Sequence, residues 1–304
     1  MKKYSSGNSL YRRTNGEMIF DYFNILIMLF VIVVMLLPMI HILNVSLSEG
    51  TESIKSGFFF FPRGEINLNG YMTVFKDPLL MGSFLNSVIY VIGTIVFTLF
   101  FTSLTAYPLS VPGFVLKKTV TVFLTITMFI SGGMIPTYLL VRSLGLINNP
   151  LVMMLPFCVG AYNVILFRSF FSGIPSSLRE AAIIDGASEF KIFICMYIPL
   201  SKAIFATIGL FTLVGKWNDW FTALLYLNNE SKYPIQMILR KILFNTQSMQ
   251  QRDTQTINLL SSMKVTNQNI KMAAIVITII PVICVYPFLQ KYFVKGVFVG
   301  TIKG

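Results

Sequence analysis

Ser176-Ser177-Leu178-Arg179-Glu180-Ala181-Ala182-Ile183-Ile184-Asp185-Gly186-Ala187-Ser188 is a charged, polar island between two long apolar segments, and Ile198-Pro199 follows it. The stretch reads as two short helices. Ser177 and Glu180 stand three apart, the separation of a capping box, in which side chains satisfy free N–H groups at a helix start. Gly186 suits the position just past a helix end, because it enters the left-handed region without a Cβ penalty. Ser188 can cap a second helix over 189–196, which Pro199 then limits or kinks. Such a short helix–turn–helix between membrane crossings is expected to lie at the membrane surface and offer a knob to something in the water.

The rest of the chain supplies those crossings. Of its 304 residues 55% are hydrophobic and 12% charged, with 28 Phe and 16 Met; soluble chains carry about 25% charged residues. The net charge of +12 is scattered over segment ends, with no basic face interleaved with stacking aromatics, so nucleic acid is not the expected partner. Cations flanking membrane segments, in contact with lipid, explain the charge better. Cys158, Cys195 and Cys284 stand alone in or beside apolar runs, without metal spacing, and read as packing residues.

Apolar runs over about 20–43, 84–107, 119–140, 151–171, 202–227 and 271–289 each approach the roughly 20 residues that a membrane helix needs. The fold class expected is therefore all-α and integral to the membrane, with six transmembrane helices. Lys2, Lys3, Arg12 and Arg13 before the first run, and Lys291, Lys295 and Lys303 after the last, place both termini in the cytoplasm. That topology puts residues 174–199 inside and 44–80 and 228–270 outside, the last being the longest loop and partly helical. His41, the single histidine, reads as an interfacial residue near a helix end.

Two features point to a path through the membrane. Ser131-Gly132-Gly133 and Pro136 interrupt the third run. Non-helical backbone at membrane depth persists only where protein or a water-filled cavity satisfies it, so the break marks either a translocation path or tight helix packing. Lys216, Trp217, Asn218, Asp219 and Trp220 occupy the outer half of the fifth run. Lys216 and Asp219 are spaced to neutralise each other on a helix. Trp217 and Trp220 beside Asn218 and Asp219 combine apolar ring faces with hydroxyl-binding groups, which suits a sugar; an interfacial aromatic pair with a local salt bridge is the plainer reading. The second run, with Gly93, Thr94, Thr98, Thr102 and Ser103, is expected to face protein.

Catalytic sets are lacking. Gly209 to Lys216 has five residues between its glycines and Trp217 after the lysine, which does not fit a phosphate-binding loop. One histidine in a span cannot serve a hydrolase, and no His/Cys cluster has metal-ligand spacing. Only Asp219 sits at membrane depth, fewer carboxylates than an ion-coupled transporter wants.

Glu180-Ala181-Ala182, followed by Gly186 and then Pro199, resembles the EAA loop of bacterial binding-protein-dependent ABC importer permeases. Asp185-Gly186-Ala187 fits the carbohydrate branch, the maltose-type inner-membrane permeases; Met196 and Ile198 depart from that family's usual Ile and Leu. Trp217-Asn218-Asp219-Trp220 and Gln290-Lys291-Tyr292-Phe293-Val294-Lys295-Gly296 extend the likeness over roughly 80–304.

This resemblance implies a type I ABC importer transmembrane domain at 80–291, with the EAA loop at 174–199 as a cytoplasmic coupling helix. Residues 1–79 would hold the cytoplasmic N-terminus, first span and external loop, and 292–304 a cytoplasmic tail. Glu180, Ala181, Ala182, Asp185 and Gly186 would couple to an ATPase, and 217–220 would line the substrate path. The implied partners are a second permease, two ATPase subunits that alone bind ATP, a periplasmic or extracellular solute-binding protein and a sugar or oligosaccharide cargo, in the bacterial cytoplasmic membrane. The chain itself would hold no cofactor and would not be an enzyme. An ion-coupled transporter, a permease for a non-sugar solute and a membrane scaffold are the alternative readings.

Overall fold

The computed structural model describes residues 15–244 and 265–296, and every regular element among them is a helix. Lys2, Lys3, Arg12, Arg13 and Lys303, which set the expected orientation, lie outside the described residues, as does 245–264 of the long outer loop.

Helix α1 (Asn15–Leu47) has 33 residues and carries no Asp, Glu, Lys or Arg after Asp21. At about 1.5 Å per residue it reaches about 50 Å, more than the hydrocarbon core of about 30 Å requires. Large apolar side chains from Met18 to Leu43 are exposed on all sides, as befits a helix facing lipid or another subunit. Only its far end is packed, at Asn44, Val45 and Ser46. The short helices α2 (Gly50–Ser53) and α3 (Asn69–Lys76) follow, and the Tyr71 hydroxyl of α3 lies 2.6 Å from that of Ser46. Phe59 is fully buried in this segment; its N–H donates to His41 Nδ1 at 3.1 Å, and its carbonyl accepts from Asn44 Nδ2 at 3.0 Å.

Helix α4 (Pro78–Ser110) is the central post. Asp77 starts it by accepting the N–H groups of Leu79 and Leu80 at 2.9 and 3.3 Å, with Pro78 in the first turn where its missing N–H costs nothing. Ser83, Ser87, Thr94, Thr98 and Thr102 are all buried along it, and the Thr94 hydroxyl reaches the Met153 carbonyl at 3.3 Å. Gly93 is small for a reason: a Cβ there would stand 2.2 Å from Met154 Sδ.

Helices α5 (Lys117–Phe129) and α6 (Met134–Ser143) form the third run, bent by 118° at the expected Gly break, where Gly133 has φ +86°. The fourth run corrects the expectation of one helix over 151–171. Pro150–Met153 is a 3₁₀ turn, irregular chain follows through Pro156 and Gly160, and only α7 (Ala161–Ser172) is α-helical. Proline cannot donate to the preceding turn, and 12 residues reach about 18 Å, short of a bilayer.

After α7 come α8 (Ser176–Ile184) and α9 (Glu189–Leu200), which turns by 79° into α10 (Lys202–Trp217). The fifth run also stops sooner than Leu227. Asn218 Nδ2 bonds back to the Val214 carbonyl at 2.9 Å, and Asp219 Oδ1 accepts the Thr222 N–H at 3.0 Å, opening a separate helix α11 (Phe221–Tyr226). Helix α12 (Ile235–Phe244) supplies a helix to the long loop that follows, and α13 (Asn267–Gly296) completes the described chain.

Among the described residues three helices are long and apolar enough to cross a membrane, or up to five if each bent pair counts as one span, against the six expected. The core has two centres. One gathers Tyr90, Met153, Trp217, Tyr226 and Ala274 at the end of the bundle away from the α8–α9 elbow. The other gathers Tyr107, Phe167, Phe171, Phe193, Tyr197 and Ile208 beneath the α8–α9 elbow. Cys158 is buried within the chain, and Cys195 and Cys284 are exposed on it.

Candidate functional site

Helix α8 starts differently from the sequence expectation. Pro175 precedes it, Ser176 is already helical, and no side chain caps it, so the capping box of Ser177 and Glu180 does not form. The Leu178 N–H of its first turn donates instead to the Pro175 carbonyl at 3.2 Å. The other end follows the sequence closely. Gly186 takes φ +77°, its N–H donates to the Ile183 carbonyl at 3.0 Å, and the Ala187 N–H donates to the Ala182 carbonyl at 2.9 Å. This pair of bonds is a Schellman motif, which needs a left-handed residue at that position. Ser188 then caps α9 by accepting the Lys191 N–H at 3.4 Å.

α9 is not a uniform helix over 189–196. It widens into π-helix at Phe193–Tyr197, just before Pro199, and ends at Leu200. Pro199 cannot donate to the carbonyl one turn back, and a π-bulge accommodates that missing bond.

No residue of α8 is buried. Glu180, Ala181, Asp185 and Gly186 are exposed, Ala182 is half-buried against the inner core, and Ile184 is 85% exposed. The elbow is nevertheless fixed. Arg179 forms an ion pair with Glu189 across the turn, its Nε donating to Oε2 at 3.3 Å, and the Tyr107 hydroxyl donates to the same Oε2 at 2.6 Å. Tyr107 belongs to the last turns of α4, and its ring packs on Phe193 and Tyr197 at 5.2 and 4.8 Å. The bond to Glu189 pushes the Arg179 guanidinium pKa up, against the opposing effect of burial. A groove of about 510 Å³ runs beside this triad, walled also by Pro112, Phe190 and Phe193.

Sequence reading missed the triad. Opposite charges flanking the Gly186 turn were the available signal for Arg179 and Glu189; nothing in the sequence marks Tyr107.

At the other end of the bundle the four residues 217–220 separate. Trp217 is 4% exposed, its indole N–H donates to the Thr278 carbonyl at 3.1 Å, and its ring meets Phe84 edge-on at 5.7 Å. It is a core residue of this chain. Asp219 is spent on Lys216, 2.7 Å away, and on starting α11. Asn218 is exposed and Trp220 half-buried at the edge of the core, joined by Gln236 and Arg240 of α12: Gln236 Nε2 donates to Asn218 Oδ1 at 3.4 Å, and the Arg240 guanidinium lies 3.8 Å from the Trp220 ring centre.

The family described as "Binding-protein-dependent transport system inner membrane component" matches residues 79–299, a range that holds both the elbow and the outer cluster. The chain belongs to that family. This permease is 40% identical over 306 residues to Protein LplC of Bacillus subtilis, covering 96% of its own length and 97% of that protein. It is 41% identical over 269 residues to the B. subtilis polygalacturonan/rhamnogalacturonan transport system permease protein YtcP, covering 88% of its own chain and 92% of that one. A crystal structure titled as a bacterial ABC transporter importing the acidic polysaccharide alginate contains a chain that superposes with a TM-score of 0.86 at 33% identity, over 92% of the permease and 99% of that chain. The permease is thus a membrane component of an ABC importer, a transport subunit and not an enzyme.

Proposed function

We propose that the permease carries a sugar or oligosaccharide across the bacterial cytoplasmic membrane by alternating access. It works beside a second permease, with two ATPase subunits that bind the nucleotide and an external protein that delivers the solute. In this reading α8 is the coupling helix. The observation that carries it is a surface helix without one buried residue, anchored at both ends to the inner core. Anchoring is what a lever requires, because a loose loop would absorb a push instead of passing it on.

Glu180 makes a charge-assisted bond in a groove on the ATPase, while Ala181 and Ala182 let the backbones approach and Ile184 supplies apolar contact. Closure of the two ATPases pushes the elbow, and the triad and the π-bulged α9 pass that movement to α4 and α10. Both termini and the elbow lie on the cytoplasmic side. The six crossings are α1, α4, the α5–α6 pair, the segment ending in α7, α10 and α13. Relatives named for polysaccharide transport support the sugar cargo.

Exchange of Glu180 for Lys tests the coupling role. Insertion should stay normal while uptake and transport-linked ATP hydrolysis are lost; normal uptake by that variant would sink the assignment.

A further inference from the structure

On α12, Gln236, Arg240 and Phe244 follow at four-residue spacing and share one face, while Ile235, Ile238 and Leu239 are buried. The shared face stands beside Trp220 and Asn218. Arg240 lies 3.8 Å from the Trp220 ring centre and 5.7 Å from that of Phe244, and Phe244 is 77% exposed. Stacking engages the flat face of a guanidinium and leaves its N–H edge available. Nearby cations have taken partners: Lys216 pairs with Asp219, Lys241 pairs with Glu230, and Lys232 donates to the Asn148 carbonyl at 2.6 Å. Among the described residues no acceptor takes an Arg240 N–H and no carboxylate pairs with it.

An oriented guanidinium fork, an open aromatic ring and two side-chain amides on one surface are the groups that recognise a sugar bearing a carboxylate. The fork takes the carboxylate through two parallel bonds, the ring covers the C–H face of the pyranose, and the amides reach its hydroxyls. We propose that Asn218, Trp220, Gln236, Arg240 and Phe244 form a contact site for a uronic-acid oligosaccharide at the outer end of the permease. Trp220 acts by holding the Arg240 plane. This inference rests on the sugar-import reading and adds the charge of the cargo.

The test is uptake by the complete importer, reconstituted with its binding protein, of radiolabelled galacturonate and mannuronate trimers against their neutral methyl esters. Because the same binding protein delivers in every arm, the acid-to-ester ratio isolates the permease. Arg240→Gln should lower uptake of the acids roughly tenfold or more and of the esters less than about twofold. Arg240→Lys keeps the charge but loses the fork, and should shift the ratio in the same direction by less; it decides the matter if the Gln variant fails to assemble. An unchanged ratio in Arg240→Lys and Arg240→Gln overturns the proposal. So does an importer that moves only neutral sugars, although sugar import then stands. An importer that moves no sugar at all removes both readings.

Discussion

The Tyr107 hydroxyl donates to Glu189 Oε2 across 2.6 Å, which ties the last turns of a 33-residue central helix to the surface elbow. Arg179 holds the same carboxylate from the other side. One acidic side chain therefore joins α8, the helix that follows it and the post of the bundle. An exposed ion pair contributes only about 0–1 kcal/mol to stability, so the triad matters more for rigidity than for folding.

Reversing one charge should break that link. Arg179→Glu and Glu189→Arg should each leave the complex assembled but reduce solute moved per ATP, and the double exchange should recover a substantial part. The interaction energy from the double-mutant cycle should fall within about 0.5–3 kcal/mol. Measuring uptake and ATP hydrolysis in parallel on proteoliposomes separates loss of coupling from loss of activity. Additive single effects would mean that the residues act independently.

Gly186 is held at φ +77° with nothing within 4 Å of where its Cβ would be, so the penalty of substitution is conformational and not steric. Gly186→Val should destabilise the elbow by about 1–2 kcal/mol, whereas Gly186→Asn should cost less because Asn tolerates the left-handed region. Affinity of the permease for its ATPase, measured by titration in detergent, should fall in the order Gly, Asn, Val.

The two tryptophans should part company. Trp217→Ala removes a buried ring and its indole bond to the Thr278 carbonyl, with an expected loss of about 3–5 kcal/mol seen as a lower unfolding midpoint. Trp217→Phe keeps the packing and should lose about 1–2 kcal/mol. Trp220→Ala, at a half-buried ring on the edge of the core, should lower the midpoint less than Trp217→Ala and reduce uptake. Equal melting behaviour of the two alanine variants would contradict the assignment of Trp217 to the core.

How far the sequence reaches is clear from particular residues. Gly186 and Ser188 were legible because a left-handed C-terminal residue and a hydroxyl cap are local chemistry that neighbours cannot easily override. Ser131-Gly132-Gly133 marked its bend for the same reason. Ser177 misled because capping depends on where the helix begins, and Pro175 set that start one residue earlier than Ser177. Long apolar runs fixed where lipid-facing segments lie but not their internal breaks: Pro156 and Gly160 interrupt one run, and the side chains of Asn218 and Asp219 end another. Composition alone could not tell Trp217 from Trp220, since burial is a property of the packed helices. The partners of Glu189 come from α4 and from across a turn, and no spacing rule connects residues 107, 179 and 189.

The most direct measurement places a photo-activatable amino acid at Ala181 in the complete importer, in native membranes, so that the exposed Cys195 and Cys284 play no part. On illumination the account predicts a covalent adduct with the ATPase subunit, altered in yield when ATP is bound. Persistent absence of that adduct, or labelling of position 181 by a reagent confined to the external side, would contradict it.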